Sequence, residues 1–370
     1  MPPLRFQRIH ISDERYESCG VFDVNNDGVL DIVSGAYWYP GPKFHRKHLI
    51  GTIQPAGEWY DDFSTIPMDV NGDGYMDFIT GGWWGQTLRW RENPKGDPEK
   101  EWPEHVIAKC GNIETTRAWD VDGDGRLEIV PNTPPTSQKF YKLLTDARGR
   151  GRGEFQEVVV YDGVSGHGLG FGDINGDGRG DVVLAKGWLE APEDRIGGKW
   201  VFHEEFDLGS ASVPIIVADV NSDGAADLIV GQAHGYGLDW WEQRLDKAGR
   251  RSWVKHPIDP FNSQYHDMWW GDLDGDGQCE LATGKRYRAH NGHDPGAYDP
   301  YGIYYFKWTG EGFAKIPIEY GPIRQTKGCG ISFQVIDLDG DGRLDIVCAG
   351  KDGLAVYKNI GCAENMEKPW

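Results

Sequence analysis

Short apolar stretches recur along the chain, each followed by an acidic, glycine-containing loop and then a β-branched run that ends in small residues. Val21-Phe22 and Ile215-Ile216-Val217 precede two of the loops, and Asp31-Ile-Val-Ser-Gly, Asp227-Leu-Ile-Val-Gly and Asp345-Ile-Val-Cys-Ala-Gly follow three of them. This pattern predicts strand, tight loop, strand. A third apolar segment comes next, as in Leu88-Arg-Trp-Arg, Leu238-Asp-Trp-Trp and Leu354-Ala-Val-Tyr. A fourth reads Phe44-His-Arg-Lys-His-Leu-Ile, Trp102-Pro-Glu-His-Val-Ile, Trp200-Val-Phe-His or Trp253-Val-Lys-His-Pro-Ile. Four strands per repeating unit predict the blade of a β-propeller.

The loop pattern D-x-[DN]-x-D-G-x-x-[DE] occurs seven times, starting at residues 23, 69, 120, 173, 219, 272 and 337. Its oxygen-bearing positions are Asp23, Asn25, Asp27 and Asp31; Asp69, Asn71, Asp73 and Asp77; Asp120, Asp122, Asp124 and Glu128; Asp173, Asn175, Asp177 and Asp181. The last three sets are Asp219, Asn221, Asp223 and Asp227; Asp272, Asp274, Asp276 and Glu280; Asp337, Asp339, Asp341 and Asp345. Seven near-regular repeats predict one all-β domain over 1–370, a seven-bladed propeller of four antiparallel strands per blade. The seventh unit supplies only three strands before Ile360, while Leu4-Arg-Phe-Gln-Arg-Ile-His10 has the fourth-strand pattern and precedes the first loop. It is expected to complete the last blade and so remove the exposed sheet edges.

Charge changes the picture in one way. The net charge is −20, which argues against nucleic acid or anionic lipid as a partner. The acid is concentrated: three acids in each of four loops and four in each of the other three make 24 of the 58 acidic residues. Carboxylate or amide oxygens at positions one, three and five and a carboxylate at nine, with a backbone carbonyl at seven and Gly at six, suit a hard cation such as Ca²⁺. An EF-hand requires a twelve-residue loop between helices; here the ninth residue opens a strand. No stretch of 18 apolar residues occurs, so no membrane span is expected. Met1-Pro-Pro-Leu-Arg-Phe-Gln-Arg-Ile-His lacks an apolar signal core, which implies a cytoplasmic protein if Met1 is the native start and a secreted or periplasmic one if a leader has been removed. Six cysteines are too few for a disulfide scaffold, and Cys19, Cys279 and Cys348 are read as buried thiols beside strands.

The loops resemble FG-GAP or VCBS repeats, the blades of integrin-α-type propellers, over nearly the whole chain. The resemblance implies the propeller fold and structural calcium, up to seven ions, along one rim.

Function is then expected at the opposite rim. Six residues before each loop stand Glu17, Phe63, Glu114, His167, Val213, His266 and Ile331; fifteen after its first Asp stand Trp38, Trp84, Pro135, Trp188, His234, Tyr287 and Asp352. Three histidines at one rim predict a Zn²⁺-type site, or one for another divalent transition metal, held by His167, His234 and His266. The longest spacing comes from an insertion at 286–302 that carries His290 and His293 and can cover the mouth. His290, His293 and Glu114 are the candidate acid–base residues. Trp38, Trp84, Trp188, Tyr287, Arg286 and Arg288 are candidates for binding a sugar, whose apolar C–H faces suit aromatic rings.

His167-Gly-Leu-Gly-Phe-Gly-Asp, Ala233-His-Gly-Tyr-Gly-Leu-Asp-Trp-Trp and Tyr265-His-Asp-Met-Trp-Trp-Gly-Asp also resemble the propeller domain of aldos-2-ulose dehydratases, enzymes that carry cupin domains besides. That resemblance implies metal-assisted β-elimination of water from a keto-sugar of the 1,5-anhydrofructose or aldos-2-ulose type, a carbon–oxygen lyase reaction. Two other readings stand beside it. A non-enzymatic glycan-binding or adhesion propeller requires no metal at the mouth. A polysaccharide lyase requires an open basic groove, for which Arg286, Arg288, Arg324 and Lys327 are available, against the overall acidity.

Overall fold

The computed structural model describes residues 2–362. Seven four-stranded antiparallel sheets follow one another along the chain, and a two-stranded hairpin, Pro55–Ala56 with Trp59–Tyr60, lies between the first two. Blades 1 to 7 begin at Gly20, Ile66, Thr115, Leu169, Ile216, Tyr265 and Phe333. In each, strand order follows chain order from the inside outward. The exception is the fourth strand of blade 7, which is Leu4–Ser12, paired antiparallel with Gly353–Cys362. The N-terminal segment therefore closes the ring, as its apolar pattern required.

Second strands such as Asp227–Gly231 and Asp77–Gly81 are buried throughout. They are covered on both faces by neighbouring blades, which is why they read as unbroken β-branched runs instead of alternating. The core is divided among the seams. Val130, Phe140, Val182 and Leu189 fill the seam between blades 3 and 4. Tyr305, Ile303, Ile346 and Tyr357 fill that between 6 and 7, and Val21, Ile32, Val347 and Val356 join 7 to 1. Cys19 and Cys348 lie in this core, whereas Cys279, expected to be buried, is exposed at position eight of the sixth loop.

A polar strut crosses the axis. Asp267, buried in the first strand of blade 6, accepts the guanidinium of Arg117 from blade 3 and the backbone N–H of Phe333 from blade 7. Arg117 also donates to the Val213 carbonyl of blade 5. Four blades thus meet on one ion pair.

The seven loops share one geometry. In the first, the Asp23 carboxylate accepts the N–H groups of Asp27 and Gly28 at 3.2 and 2.8 Å, and Asp27 accepts Val29 N–H at 2.9 Å. The glycine at position six has φ between 83° and 90° in all seven loops. Nothing lies within 4 Å of where its Cβ would be, so the backbone conformation, and not space, demands glycine there. The position-nine aspartates are buried and clamp the loop to the third strand: Asp31 accepts Val24 N–H at 2.9 Å and Gly41 N–H at 2.8 Å. Burial, only partly opposed by such bonds, raises Asp31, Asp181 and Asp227 to about 6 and Asp77 to about 7.

Candidate metal centre at the mouth

The loops lie where first strands end, so the segments before first strands and after second strands meet at the other rim. Glu114 immediately precedes the first strand of blade 3 and His167 lies just before that of blade 4. His266 sits in the first strand of blade 6, and His234 in the turn after the second strand of blade 5. The structure brings these four together, with ligand atoms all within 4.8 Å of one another. His167 Nε2 and His234 Nε2 are 3.1 Å apart. Glu114 Oε1 is 3.0 Å from His266 Nε2, 3.5 Å from His167 Nε2 and 3.9 Å from His234 Nε2.

The outer nitrogens fix the tautomers. His167 Nδ1 lies 2.7 Å from the Ala211 carbonyl, and His234 Nδ1 lies 2.8 Å from an Asp294 carboxylate oxygen. Both partners can only accept, so both Nδ1 atoms carry protons and both Nε2 atoms present lone pairs. Two lone pairs at 3.1 Å repel unless a cation, proton or metal, lies between them. Burial lowers the pKa of His234 despite Asp294, and lowers that of His266 strongly despite Glu114, so both rings favour the neutral form that ligates. Burial alone would raise Glu114, but the His167 and His266 rings beside it, with Nε2 atoms 3.5 and 3.0 Å from its Oε1, outweigh burial and hold the carboxyl well below its usual range. His266 Nδ1 is buried and has no hydrogen-bond partner among the described residues.

The donor set fits a transition metal. Tetrahedral bonds of about 2.1 Å require ligand separations of roughly 3.4 Å; here four of the separations run from 3.0 to 3.9 Å and all lie within 4.8 Å. The Asp294 carboxylate and Ala211 carbonyl behind two of the histidines orient the rings as metal-ligating histidines are commonly oriented.

The insertion at 286–302 contributes part of the site. It turns through a short 3₁₀ segment, Ala289–Gly292, which places His290 on His234, rings nearly parallel with centroids 4.2 Å apart. Asp294 bridges the two, accepting His290 Nδ1 at 2.8 Å. Beside the cluster opens a cavity of about 300 Å³ lined by Trp59, Phe63, Trp83, Trp84, Glu114, Arg286 and His290. Lys351 packs its ammonium over the Trp59 ring at 4.3 Å and donates to the Arg288 carbonyl; burial pushes its pKa down to about 8.

Other sequence-based expectations fall differently. Trp38 and Trp188 do not reach the mouth: each is 2 % exposed and packs in a blade seam, against His48 and His203 respectively. His293 is exposed on the insertion, away from the four donors, its N–H bonded to the His290 carbonyl. Glu114 stands among the ligand atoms instead of apart from them as a base. Arg286 lines the cavity but is engaged by both Glu17 oxygens, at 2.9 and 3.3 Å, and lies 3.5 Å from Glu114. Arg288 pairs with Glu58, Tyr287 stacks on Tyr301, and Lys327 is held by Asp352. Of the four cations that would line an open basic groove, Arg286, Arg288 and Lys327 are thus each engaged by a carboxylate, while Arg324 is exposed. Trp59, Asp294 and Lys351 were missed in the sequence because nothing in the repeat offsets marks a hairpin tip, a loop acid or a turn lysine.

Comparison with known proteins bears on the scaffold. The family model described as an FG-GAP-like repeat matches residues 69–130 and 219–283, which span the second and third loops and the fifth and sixth. No curated protein matches the chain. Two solved structures of BBS1N in complex with ARL6DN, soaked with mercury and with lead, align over 98 % of both chains at 10 % identity, with TM-scores of 0.53 and 0.50. A Photorhabdus luminescens Tc holotoxin pore structure aligns at 15 % identity and a TM-score of 0.36, over 97 % of this chain but 15 % of that one. At such identities the likeness concerns the fold alone. No helix among the described residues is long and apolar enough to cross a membrane. The chain is a seven-bladed β-propeller that carries FG-GAP-like repeats.

Proposed function

We propose that the mouth binds a divalent transition metal, Zn²⁺ or a similar ion, through His167, His234, His266 and Glu114, and that the site removes water from a keto-sugar by β-elimination. The observation that carries this reading is the pair of facing Nε2 lone pairs at 3.1 Å beside a buried carboxylate. The ion would supply Lewis acidity to a carbonyl oxygen and make the adjacent C–H more acidic. The chain's own residues account for the rest. His290, held through Nδ1 by Asp294 and exposed at the cavity, offers Nε2 to move a proton. Lys351, seated over the Trp59 ring and lowered to about 8, is still largely protonated at neutral pH and can give a proton to the departing hydroxyl, which leaves as water. Trp59, Trp84 and Phe63 form an aromatic wall for the apolar face of a sugar ring. The acidic loops at the far rim have a separate, structural role in this reading, as sites for a hard cation such as calcium.

The test is elemental analysis of protein purified without added metal, together with turnover of 1,5-anhydrofructose or an aldos-2-ulose. One transition metal per chain, lost with activity in H167A and H266A, is the expected result. Sugar binding that survives both substitutions in metal-free protein overturns it and favours a non-catalytic glycan-binding propeller.

A further inference from the structure

The seven acidic loops are of two kinds, and the difference extends to a residue on a neighbouring strand. Third-strand pairing is the same in every blade: the residue after position nine lies opposite a third-strand residue, and the next one on that strand faces position nine itself. In blades 3, 6 and 7 this facing residue is Lys142, Lys307 or Lys358; in blades 1, 2, 4 and 5 it is Pro40, Glu92, Glu190 or Glu242. Position three of the loop divides the same way. It is Asp122, Asp274 and Asp339 in the lysine blades and Asn25, Asn71, Asn175 and Asn221 in the others. All three extra carboxylates coincide with a lysine, and none of the four asparagines does.

The lysines reach into the loops. Lys142 Nζ contacts Asp122 and lies 2.6 Å from Asp124 and 3.6 Å from Glu128. Lys307 Nζ contacts Asp274 and lies 2.9 Å from Asp276 and 3.4 Å from Glu280. Lys358 Nζ contacts Asp339 and lies 3.2 Å from Asp341. These are the oxygens of positions three and five, and in blades 3 and 6 also of position nine, which a calcium ion in the loop would have to take. A calcium ion bonds such oxygens at 2.3–2.6 Å, so ion and ammonium cannot share them. In the asparagine loops, among the described residues, no lysine spans positions three and five; a cation touches position five alone in two of them, Arg179 on Asp177 and Lys95 3.8 Å from Asp73. Asn25, Asn175 and Asn221 donate from Nδ2 to the position-five carboxylate at 3.0 Å. The facing glutamates Glu190 and Glu242 lie 2.8 Å from the fourth-strand histidines His203 and His256, and Glu92 lies 2.8 Å from His105 while its other oxygen accepts Asn71 Nδ2 at 3.4 Å.

We propose that Lys142, Lys307 and Lys358 act as built-in cations, so that blades 3, 6 and 7 fold without a divalent ion and the loops of this chain take at most four calcium ions instead of seven. The fourth carboxylate in each of these loops is the counter-charge of its lysine and not an added ligand.

Calcium alone, counted by equilibrium dialysis on chelator-stripped full-length protein, tests the wild type; the expected ceiling is four ions per chain, and five or more overturns the proposal. The variants K142M, K307M and K358M are then melted in chelator and in millimolar calcium. Each is expected to lose several degrees of melting temperature in chelator, to regain them with calcium, and to bind one ion more than wild type. Variants that melt as wild type does in chelator and gain no ion refute it. Should a methionine variant fail to fold, the double variant D122N/K142E places the blade-2 pairing in blade 3. Gain of one calcium there supports the proposal, and no gain overturns it.

Discussion

The strut between Arg117 and Asp267 gives the sharpest test of how the ring is held. Asp267 is buried at the axis and Arg117 is nearly so. Two unit charges about 3 Å apart attract by roughly 5 kcal/mol at an effective dielectric of about 20. Desolvation offsets much of this while the pair is intact, but removal of one partner strands the other charge, at a cost of about 3–5 kcal/mol. Asp267→Leu should therefore destabilise strongly, because it also frees the Phe333 N–H of blade 7. Arg117→Met should cost a similar amount, since it leaves a buried carboxylate unpaired. The double variant should cost clearly less than the sum, with a coupling of at least about 2 kcal/mol. Denaturant unfolding followed by tryptophan fluorescence measures all four free energies. Single variants within about 1 kcal/mol of wild type, or strictly additive effects, would refute the account of the strut as a tie among four blades.

Three further outcomes are expected. Deletion of residues 2–12 removes the fourth strand of blade 7, the burial of Leu4 and the Arg8–Glu319 pair, and should lower the midpoint of the whole unfolding transition; an unchanged thermal melt by circular dichroism argues against ring closure. Asp31, Asp181 and Asp227, at about 6, and Asp77, at about 7, stand above the unfolded value of about 3.9, so their contribution is complete below the unfolded value and lost as pH rises through 6 to 7; in chelator, stability should fall by about 1 kcal/mol between about pH 6.5 and 8, and a rise would contradict it. Trp84→Ala should weaken sugar binding at unchanged stability, whereas Trp188→Ala should cost about 3–5 kcal/mol as a core truncation, and equal effects on both measurements would merge the two roles.

The architecture was legible because the loop pattern occurs seven times and each copy fixes the ends of two strands. The offset before each loop was equally informative: every first strand ends at the residue before its loop, so positions counted back from the loop keep the same height in each blade and Glu114, His167 and His266 converge. The offset after the loop was reliable only where the turn is long. In blades 2 and 5 the second strand runs five residues and the third begins at Thr87 or Leu238, so Trp84 and His234 stand in the turn at the mouth. In blades 1 and 4 the second strand is four residues and the third begins at Tyr37 or Gly187. The same count then falls inside a strand and directs Trp38 and Trp188 into a seam. The strut, Asp294 and Lys351 depend on contacts between distant blades or on the path of a single loop, which a repeat pattern does not encode. The lysines of blades 3, 6 and 7 were written in the sequence, but they acquire meaning only once strand pairing sets them against the loops.

The four donors at the mouth come one each from four successive repeats, and three of them, Glu114, His167 and His266, share one offset. No blade, and no duplicated copy of a blade, contains the site. A ring of identical units would offer seven equivalent positions and no centre, so the donor cluster here arises from divergence among copies and not from the repeat itself. The same offset in the remaining units holds Glu17, Phe63, Val213 and Ile331. These are equivalent positions around a shared axis, one of them, Phe63, on the cavity wall, where an engineer can seek to shift the donor cluster one step around the ring.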